Sequence, residues 1–528
     1  MQWNLDKRVV SEEEHTKDHG LVIDYDEVGR KGALGGGEKL ITKWYGIYQS
    51  RHPGNHMARV VIPGGVVTSV QARRIAQVGE DYGQGKLCIT TRQCIQFHWL
   101  KAPALADMLR DLAKDNLSCF HGCGDVTRNV VACPLAETCK YRRIDVLPYA
   151  KQTSRVLTES RDLDNLPRKF KINFSGCGAG CGQPFINCIG AIAIQRQNAA
   201  GEEETGFKVV IGGGMGWEAF IGQELFSFVP AEKIVAVNRA IALLFRDHGD
   251  RRDRTQSRLK FVVHKKGIDF CRKVVLDFLE KENVDTSDLE TGPVDDIGDA
   301  YPDRPLLESN PVGTDGKATV RAMIPKGEMT HLQIRQLAAL TEKYGDKRLQ
   351  FTQRQNVEIH GVKPEKVTEV NEEIAKIGFG TEGFFGIRDI VPCVGTTYCP
   401  KAVTETRALC DLLMPVVSKT KYNEIWDKAL INITGCPNSC SPYRIVDIGF
   451  RGMRLREKLG SVEAYEMRIG GEHNRLGKVI GEFKREDCPR VVEAILDTFL
   501  KERKEGETLA QCIRRLDAAP AAKETVAV

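Results

Sequence analysis

Hydrophobic and polar residues follow the same order twice along the chain. Residues 57–65 (MARVVIPGG) and 90–98 (TTRQCIQFH) have the apolar alternation of short strands, and residues 67–83 have the spacing of an amphipathic helix. A second amphipathic helix is predicted over residues 105–115. Residues 319–378 repeat this strand, helix, strand, helix order. The pattern predicts one βαβ-type unit in each half of the chain, followed by a longer α/β segment.

The repeat extends to individual residues. MARVVIPGG is matched by TVRAMIPKG and TTRQCIQFH by TQRQNVEIH, both at an offset of 262 residues. Further on, RNVVACPLAETC is matched by RDIVPCVGTTYC at an offset of 260, and NFSGCGAGC by NITGCPNSC at 259. Order and chemistry therefore recur together, which indicates a tandem duplication of a ferredoxin-like unit joined to a cysteine-containing α/β segment.

Seven regions follow from this organisation. They are an N-terminal extension (1–40), a first ferredoxin-like half-domain (41–118), a first cysteine-containing domain (119–285), a linker rich in Asp, Pro and Gly (286–315), a second ferredoxin-like half-domain (316–380), a second cysteine-containing domain (381–505) and a frayed tail (506–528).

Composition limits the class of protein. The chain has 528 residues, 41% of them apolar and 28% charged, with a formal net charge of +5. These values are typical of a globular protein and do not favour nucleic acid as a partner. The first 20 residues lack the apolar core of a signal peptide, and no apolar run reaches the ~20 residues that span a membrane, so we expect a cytoplasmic protein without a membrane partner. Seventeen cysteines in a reducing compartment indicate metal or redox chemistry.

Eight of the cysteines form two matched quartets. Each quartet is a C-x5-C pair and a C-x3-C pair, with 36 or 37 residues between the two pairs. The x5 spacing is poor for zinc, whereas four thiolates from two loops suit a [4Fe–4S] cubane. The second-half quartet is Cys393, Cys399, Cys436 and Cys440, and the first-half quartet is Cys133, Cys139, Cys177 and Cys181.

Taken together, CPNSC with its preceding C-x5-C, RVVIPGG, TTRQ, DVTRN and LPRKFK closely resemble the sulfite and nitrite reductases that carry sirohaem coupled to a [4Fe–4S] cluster. The resemblance runs from about residue 40 to 500. It implies a tandem-duplicated α/β (α+β) fold, with two ferredoxin-like half-domains and two sirohaem/iron–sulfur-type α/β domains related by pseudo-twofold symmetry. It also implies that Cys440 bridges a cluster iron and the sirohaem iron.

The resemblance implies a basic substrate pocket on the sirohaem. The residues that match the family by motif are Arg59, Arg128, Lys169 and Lys171. Sulfite is a dianion whose oxygens leave as water, so fixed guanidinium groups can hold it and lysines can supply protons.

A second set of residues is implied to contact the carboxylates of sirohaem. It comprises Thr90, Thr91, Arg92, Gln96 and Asn438, with Arg258 and Lys260 from the run DRRDRTQSRLK. The run could equally be a solvated charged loop. GGGMG at 212–216 lacks the context of a dinucleotide motif, and the family resemblance places it as a Gly-rich turn beside the haem.

The first-half quartet departs from the usual assimilatory members of the family. By pseudo-symmetry it should face Arg321, Arg388 and Lys428, with Leu430 at the position that corresponds to Lys171. That pocket could hold a second sirohaem–cluster unit, a cluster alone or a non-catalytic cofactor. Cys119 and Cys123 are alternative ligands or packing residues.

The expected activity is the six-electron reduction of sulfite to sulfide. No flavin or nicotinamide module is apparent, so electrons are expected from a separate ferredoxin or flavoprotein. The alternatives are reduction of nitrite to ammonia on the same scaffold and a non-catalytic sirohaem or electron-transfer relative.

Overall fold

The computed structural model describes residues 21–198, 200–301, 308–458 and 460–518. The strands are β1 Ile47–Gln49, β2 His56–Val60, β3 Val66–Thr68, β4 Lys86–Ile89, β5 Ile95–Leu100, β6 Val131–Ala132, β7 Ile172–Ser175, β8 Ile189–Gln197, β9 Glu203–Ile211, β10 Gln223–Pro230, β11 Ala318–Ala322, β12 Glu328–Thr330, β13 Arg348–Phe351, β14 Val357–Val362, β15 Val391–Pro392, β16 Ile431–Thr434, β17 Ile448–Glu457, β18 Gly460–Ile469 and β19 Lys478–Lys484. The helices are α1 Tyr25–Lys31, α2 Gly36–Ile41, α3 Ser69–Tyr82, α4 Leu105–Ala113, α5 Leu147–Glu159, α6 Ile234–His248, α7 Leu259–Lys266, α8 Ile268–Lys281, α9 His331–Tyr344, α10 Val367–Ile377, α11 Gly395–Tyr398, α12 Thr406–Val417, α13 Cys488–Glu502 and α14 Leu509–Ala518.

The two ferredoxin-like units exchange a strand. One sheet has the order β1-β2-β5-β4-β12 and the other the order β11-β14-β13-β3, so each sheet contains one short strand from the opposite half. Strand β12 pairs with β4 through Glu328 and Cys88, and β3 pairs with β13 through Val66 and Gln350. The halves are therefore joined by backbone hydrogen bonds.

Helices α3 and α9, which follow the exchanged strands, pack against each other. Both begin with a capping box, in which Thr68 and Thr330 bond the backbone three residues ahead. Two equivalent ion pairs link the helices, Arg73 with Glu342 at 2.6 Å and Arg335 with Glu80 at 2.7 Å. This reciprocity is what a twofold axis requires. A single hydrophobic core serves both units.

Each cysteine-containing segment forms its own five-stranded sheet with its own core. Strands β6, β7 and β8 are parallel neighbours, as are β15, β16 and β17. Each C-x5-C pair begins directly after β6 or β15, and each C-x3-C pair follows β7 or β16. Because the carboxyl ends of parallel strands meet at one edge of a sheet, all four thiols of a quartet collect there.

The predicted fold class is confirmed by this arrangement and by the comparisons below. The predicted frayed tail is wrong for residues up to 518: α14 is amphipathic and buries Leu509 and Cys512 in the second-half core. Residues 519–528 lie outside the described residues. Part of the predicted extension is also packed, since Tyr25 and Val28 of α1 enter the shared core. Within the predicted linker, Asp296 forms an ion pair with Arg143 at 3.0 Å.

Candidate functional site

A cavity of ≈ 640 Å³ opens between the two halves beside Cys440. The first half supplies most of its walls, and the second half supplies Gln353 and the loop that contains Asn438, Ser439 and Cys440. Thr91 Oγ1 donates a 2.7 Å hydrogen bond to the Cys440 carbonyl, which fixes the ligand loop against the first half. Cys440 is the one cysteine classed as exposed among the described residues, because its thiol lies at this cavity.

The second-half quartet has backbone N–H groups directed at its sulfurs. Gly435 N–H lies 3.2 Å from Cys393 Sγ. The N–H groups of Lys401 and Ala402 bond the Cys399 thiol, and that of Asn438 bonds Cys436. Among the described residues, no three His, Cys, Asp or Glu side chains converge closely enough for a single metal ion. A cubane takes one thiolate at each of four separate iron corners, so a [4Fe–4S] cluster does not require the closer convergence of a single-ion site.

The cavity is strongly basic. Its described lining includes one acidic side chain, Glu218, against the following basic ones: Arg92, Arg168, Lys169, Lys171, Arg254, Arg258 and Lys260. Five of these were predicted from sequence. Such a wall attracts an anionic ligand before any specific contact is made.

Arg168 and Arg254 are the two cations that the sequence did not predict. Buried Asp125 accepts hydrogen bonds from both, at 3.2 Å from Arg168 Nη1 and 2.8 Å from Arg254 Nη2. The sequence could have indicated both, since Arg168 lies within LPRKFK and Arg254 within DRRDRTQSRLK, two motifs already singled out. Only the fold shows that one aspartate from DVTRN holds both.

Lys169 and Lys171 lie in the chain segment directly before β7, and both line the cavity. Neither ammonium group has a hydrogen-bond or ion-pair partner among the residues that the structure describes. Burial and the nearby Arg258 guanidinium lower the pKa of Lys169 to about 7. Burial, with Arg92 and Lys169, holds the pKa of Lys171 well below its ordinary value. A bound anion would raise both pKa values, so the lysines can take up protons with the anion and release them to it.

Arg92 is held in the cavity wall by the first half. Its guanidinium donates to Asn187 Oδ1 at 2.7 Å and to the Asn129 carbonyl at 2.6 Å. Thr91 lies beside it in the wall, whereas the Thr90 hydroxyl turns inward and accepts from the N–H groups of Arg92 and Cys94. Thr90 therefore shapes the turn that presents its two neighbours.

Arg59 and Arg128 lie behind the cavity and are not among its described lining residues. Both donate to the Gly122 carbonyl, at 3.0 and 3.2 Å. Gln96 stands opposite Arg59 on the neighbouring strand, and its amide oxygen can accept from Arg59 Nε at 3.2 Å and Nη2 at 2.6 Å. The neutral amide leaves the positive charge of Arg59 uncompensated.

The run at 250–260 contributes to the cavity, as do the glycines of GGGMG. Arg258 Nη2 lies 3.3 Å from Cys188 Sγ, and Lys260 donates to the Glu218 carbonyl. Burial and Arg258 lower the pKa of Lys260 to about 8. A Cβ at Gly214 would lie 3.2 Å from the Lys260 side chain, so glycine is what allows this close approach.

These features fit the carboxylate-rich sirohaem that the resemblance implies. Arg92 Nε and Arg258 Nε are buried without a partner in the described structure, and Lys169 and Lys171 are unpaired. Buried cations without counter-charges are costly unless a ligand supplies acceptors. Sirohaem carboxylates would supply them, and the exposed Cys440 thiol would reach its iron.

The first-half quartet lines a much smaller cavity, of ≈ 30 Å³. Arg321 lines it but is paired with Glu358 at 2.9 Å. Arg388 bonds Asn423, and Lys428 forms an ion pair with Asp427 at 2.8 Å; neither lines this cavity, nor does Leu430. Cys119 is packed in the shared core, and Cys123 lies beside Arg59. In the described part of the chain, the cavity at the first-half quartet is therefore small, and Arg388, Lys428 and Leu430 do not line it.

Among the described residues, no helix is both long and apolar enough to cross a membrane.

The fold resembles that of the Mycobacterium tuberculosis NirA protein, with a TM-score of 0.88 over 97% of this chain and 98% of that one, at 24% identity. The chain is 30% identical to an assimilatory ferredoxin-dependent nitrite reductase of Haloferax mediterranei, over 89% of this chain and 84% of the relative. It is 27% identical to a ferredoxin sulfite reductase of Mycolicibacterium paratuberculosis, over 90% and 88%.

Two family models match the chain, each of them twice. The nitrite and sulphite reductase 4Fe-4S domain matches residues 123–282 and 385–525. The nitrite/sulfite reductase ferredoxin-like half domain matches residues 48–115 and 312–377. Together these matches cover both halves in the order of the duplication. The chain belongs to the nitrite and sulphite reductase family.

Proposed function

We propose that the chain reduces sulfite to sulfide at the cavity beside Cys440, taking six electrons from a separate ferredoxin or flavoprotein. The three sulfite oxygens leave as water, so each turnover consumes protons as well as electrons. As a family member the chain carries sirohaem and a [4Fe–4S] cluster, which supply the electrons to the bound anion. A reductase fed in this way is expected to work in the cytoplasm.

The observation that carries the choice of sulfite is the pair Lys169 and Lys171. Both line the cavity and neither is paired among the described residues. Sulfite brings two negative charges and loses three oxygens, whereas nitrite brings one charge and loses two. A second lysine is therefore worth more to sulfite, both as a cation and as a proton donor. Plant-type nitrite reductases resemble this motif with Asn in place of Lys171.

We assign the roles as follows. Cys393, Cys399, Cys436 and Cys440 hold the cluster, with Cys440 facing the sirohaem iron. Arg92, Arg258, Lys260, Thr91 and Asn438 hold the sirohaem carboxylates. Lys169 and Lys171 bind the substrate anion and deliver protons to its oxygens. Arg59 and Arg128 add positive charge from positions that do not line the cavity. The partner of Arg59 is the neutral amide of Gln96, which does not cancel its charge.

Nitrite reduction is the second candidate, since relatives named for each activity are similarly distant. The test is kcat/KM for sulfite and for nitrite, measured on one preparation with a chemically reduced viologen dye. Sulfite should have the higher value. A clear preference for nitrite would make the chain a nitrite reductase, and the absence of turnover with both anions would favour a non-catalytic relative.

A further inference from the structure

The two cysteine quartets are built on the same backbone scaffold. Gly176 N–H lies 3.4 Å from Cys133 Sγ, as Gly435 N–H lies 3.2 Å from Cys393 Sγ. The remaining N–H groups also correspond: Tyr141 and Arg142 bond Cys139 as Lys401 and Ala402 bond Cys399, and Ala179 bonds Cys177 as Asn438 bonds Cys436. Hydrogen bonds to cysteine sulfur are a standard feature of iron–sulfur sites. The exception to the correspondence is Gly395 N–H, which also bonds Cys393, whereas Gly176 is the one backbone donor to Cys133 in the described part of the chain.

The space next to Cys181 differs sharply from that next to Cys440. Cys181 is half-buried, and the cavity that it lines measures ≈ 30 Å³. Phe385 and the Arg321–Glu358 pair form the opposite wall. All four cysteines of the first-half quartet line this small cavity, whereas Cys440 is the one member of its quartet that lines the ≈ 640 Å³ cavity.

Two arginines on the second-half side of this site form ion pairs, whereas Arg142 of the first half lines the cavity and bonds a carbonyl and a hydroxyl. Arg321 pairs with the Glu358 carboxylate at 2.9 Å, where Arg59 meets the neutral Gln96. Arg354 pairs with the Asp389 carboxylate at 2.6 Å. At the matching positions of the first half, Arg92 donates to the main-chain carbonyl of Asn129, and the Asn129 side-chain amide donates to the carbonyls of Ile62 and Arg92. Carboxylates thus stand at two second-half positions, Glu358 and Asp389, where the first half has the amides Gln96 and Asn129.

We propose that the first-half quartet binds a second [4Fe–4S] cluster, with no sirohaem at Cys181. The four thiols and most of their N–H donors match those of the second-half quartet. On the side that faces the second half, Phe385 and the buried Arg321–Glu358 ion pair stand in place of a wall of cations available to sirohaem carboxylates. The proposal does not depend on whether sulfite or nitrite is the substrate.

The test is the iron, acid-labile sulfide and sirohaem content of anaerobically purified, chemically reconstituted protein. Two clusters and one sirohaem correspond to about nine iron and about eight sulfide atoms per chain. Mössbauer spectra of ⁵⁷Fe-enriched protein should show cluster and haem iron in a ratio of about eight to one. About five iron atoms and a ratio near four to one would overturn the second cluster. Two sirohaems per chain would overturn the closed haem side.

Variants assign the iron to the quartet. Cys139→Ser should remove about four iron and four sulfide atoms while the sirohaem absorption remains. The matched control is Cys271→Ser, which alters an isolated buried cysteine of α8 and should keep all iron. Full iron in Cys139→Ser would contradict the proposal. If this variant does not fold, the iron content of the unmodified protein decides the question alone.

Discussion

Arg321 donates a 2.9 Å hydrogen bond from Nε to Glu358, its cross-strand neighbour, and both side chains are buried. The matching cross-strand pair in the first half is Arg59 and Gln96. The same arginine is thus neutralised in one half and left charged in the other. This difference removes one uncompensated positive charge from the surroundings of the first-half quartet.

Replacing Glu358 by Gln should destabilise the protein. Although burial opposes it, Arg321 and His360 hold the pKa of Glu358 below its ordinary value, so the carboxylate is charged in the folded state. Removing the charge of one partner of a buried ion pair costs about 3 kcal/mol or more, because the guanidinium of Arg321 loses its counter-charge. Urea unfolding of the holoprotein measures this loss.

The reciprocal variant Gln96→Glu provides the control. It places a carboxylate against Arg59. The rate of sulfite turnover should fall, while the urea midpoint of unfolding should change little. An unchanged unfolding midpoint in Glu358→Gln would mean that the charge of the pair contributes nothing.

Replacing Cys440 by Ser should abolish sulfite reduction. Cys440 is exposed to the main cavity, and its thiolate is the proposed link between the cluster and the sirohaem iron. Serine retains the size but not the thiolate. Turnover and the electron paramagnetic resonance of the two cofactors should change together. Turnover at the unmodified rate would rule out this role.

Replacing Lys171 by Asn should lower kcat/KM for sulfite relative to kcat/KM for nitrite. The change removes one cation and one proton donor from the cavity, which a dianion needs more than a monoanion does. Lys171→Leu, which copies the residue found at 430, should reduce sulfite turnover by about a hundredfold or more. Both variants should keep their sirohaem absorption.

Leu430→Ala is the control for the Lys171 variants, since Leu430 lies outside the first-quartet cavity. It should leave both activities within about twofold, a range that corresponds to well under 1 kcal/mol. Equal losses of sulfite and nitrite reduction in Lys171→Asn would show that this lysine does not select between the anions.

Cofactor-free protein should become more stable as the pH rises from 7 toward 10. Burial and Arg258 lower the pKa of Lys169 from 10.5 to about 7 in the folded state. Across that window the unfolded chain binds more protons at Lys169 than the folded chain does, so the free energy of unfolding increases with pH.

The pH effect is measured as the difference between unmodified protein and Lys169→Met in urea midpoints at several pH values. The urea midpoint of Lys169→Met should rise less steeply with pH than that of the unmodified protein. In the holoprotein the sirohaem carboxylates raise the lysine pKa, and the difference should shrink. A slope that Lys169→Met leaves unchanged would assign the effect to other groups.

The sequence by itself determined the duplication, the two quartets and most of the basic cavity. These features depend on local spacing: C-x5-C and C-x3-C lie directly after parallel strands, and LPRKFK and TTRQ keep their order. A strand edge collects such loops whatever the details of packing. The resemblance to the family, carried by LPRKFK, TTRQ and CPNSC, implied that Arg92, Lys169, Lys171, Arg258 and Lys260 lie at the cofactor pocket of Cys440.

The tertiary structure alone decided how the halves are joined and which cavity is open. The exchanged strands β3 and β12 have three residues each, too few for a pattern to show that their partners lie in the other half. Glu358 is visible in the sequence, but its effect depends on the strand register that sets it opposite Arg321. A charge is cancelled by its neighbour in space, and the register of strands 37 residues apart is fixed only when the core closes.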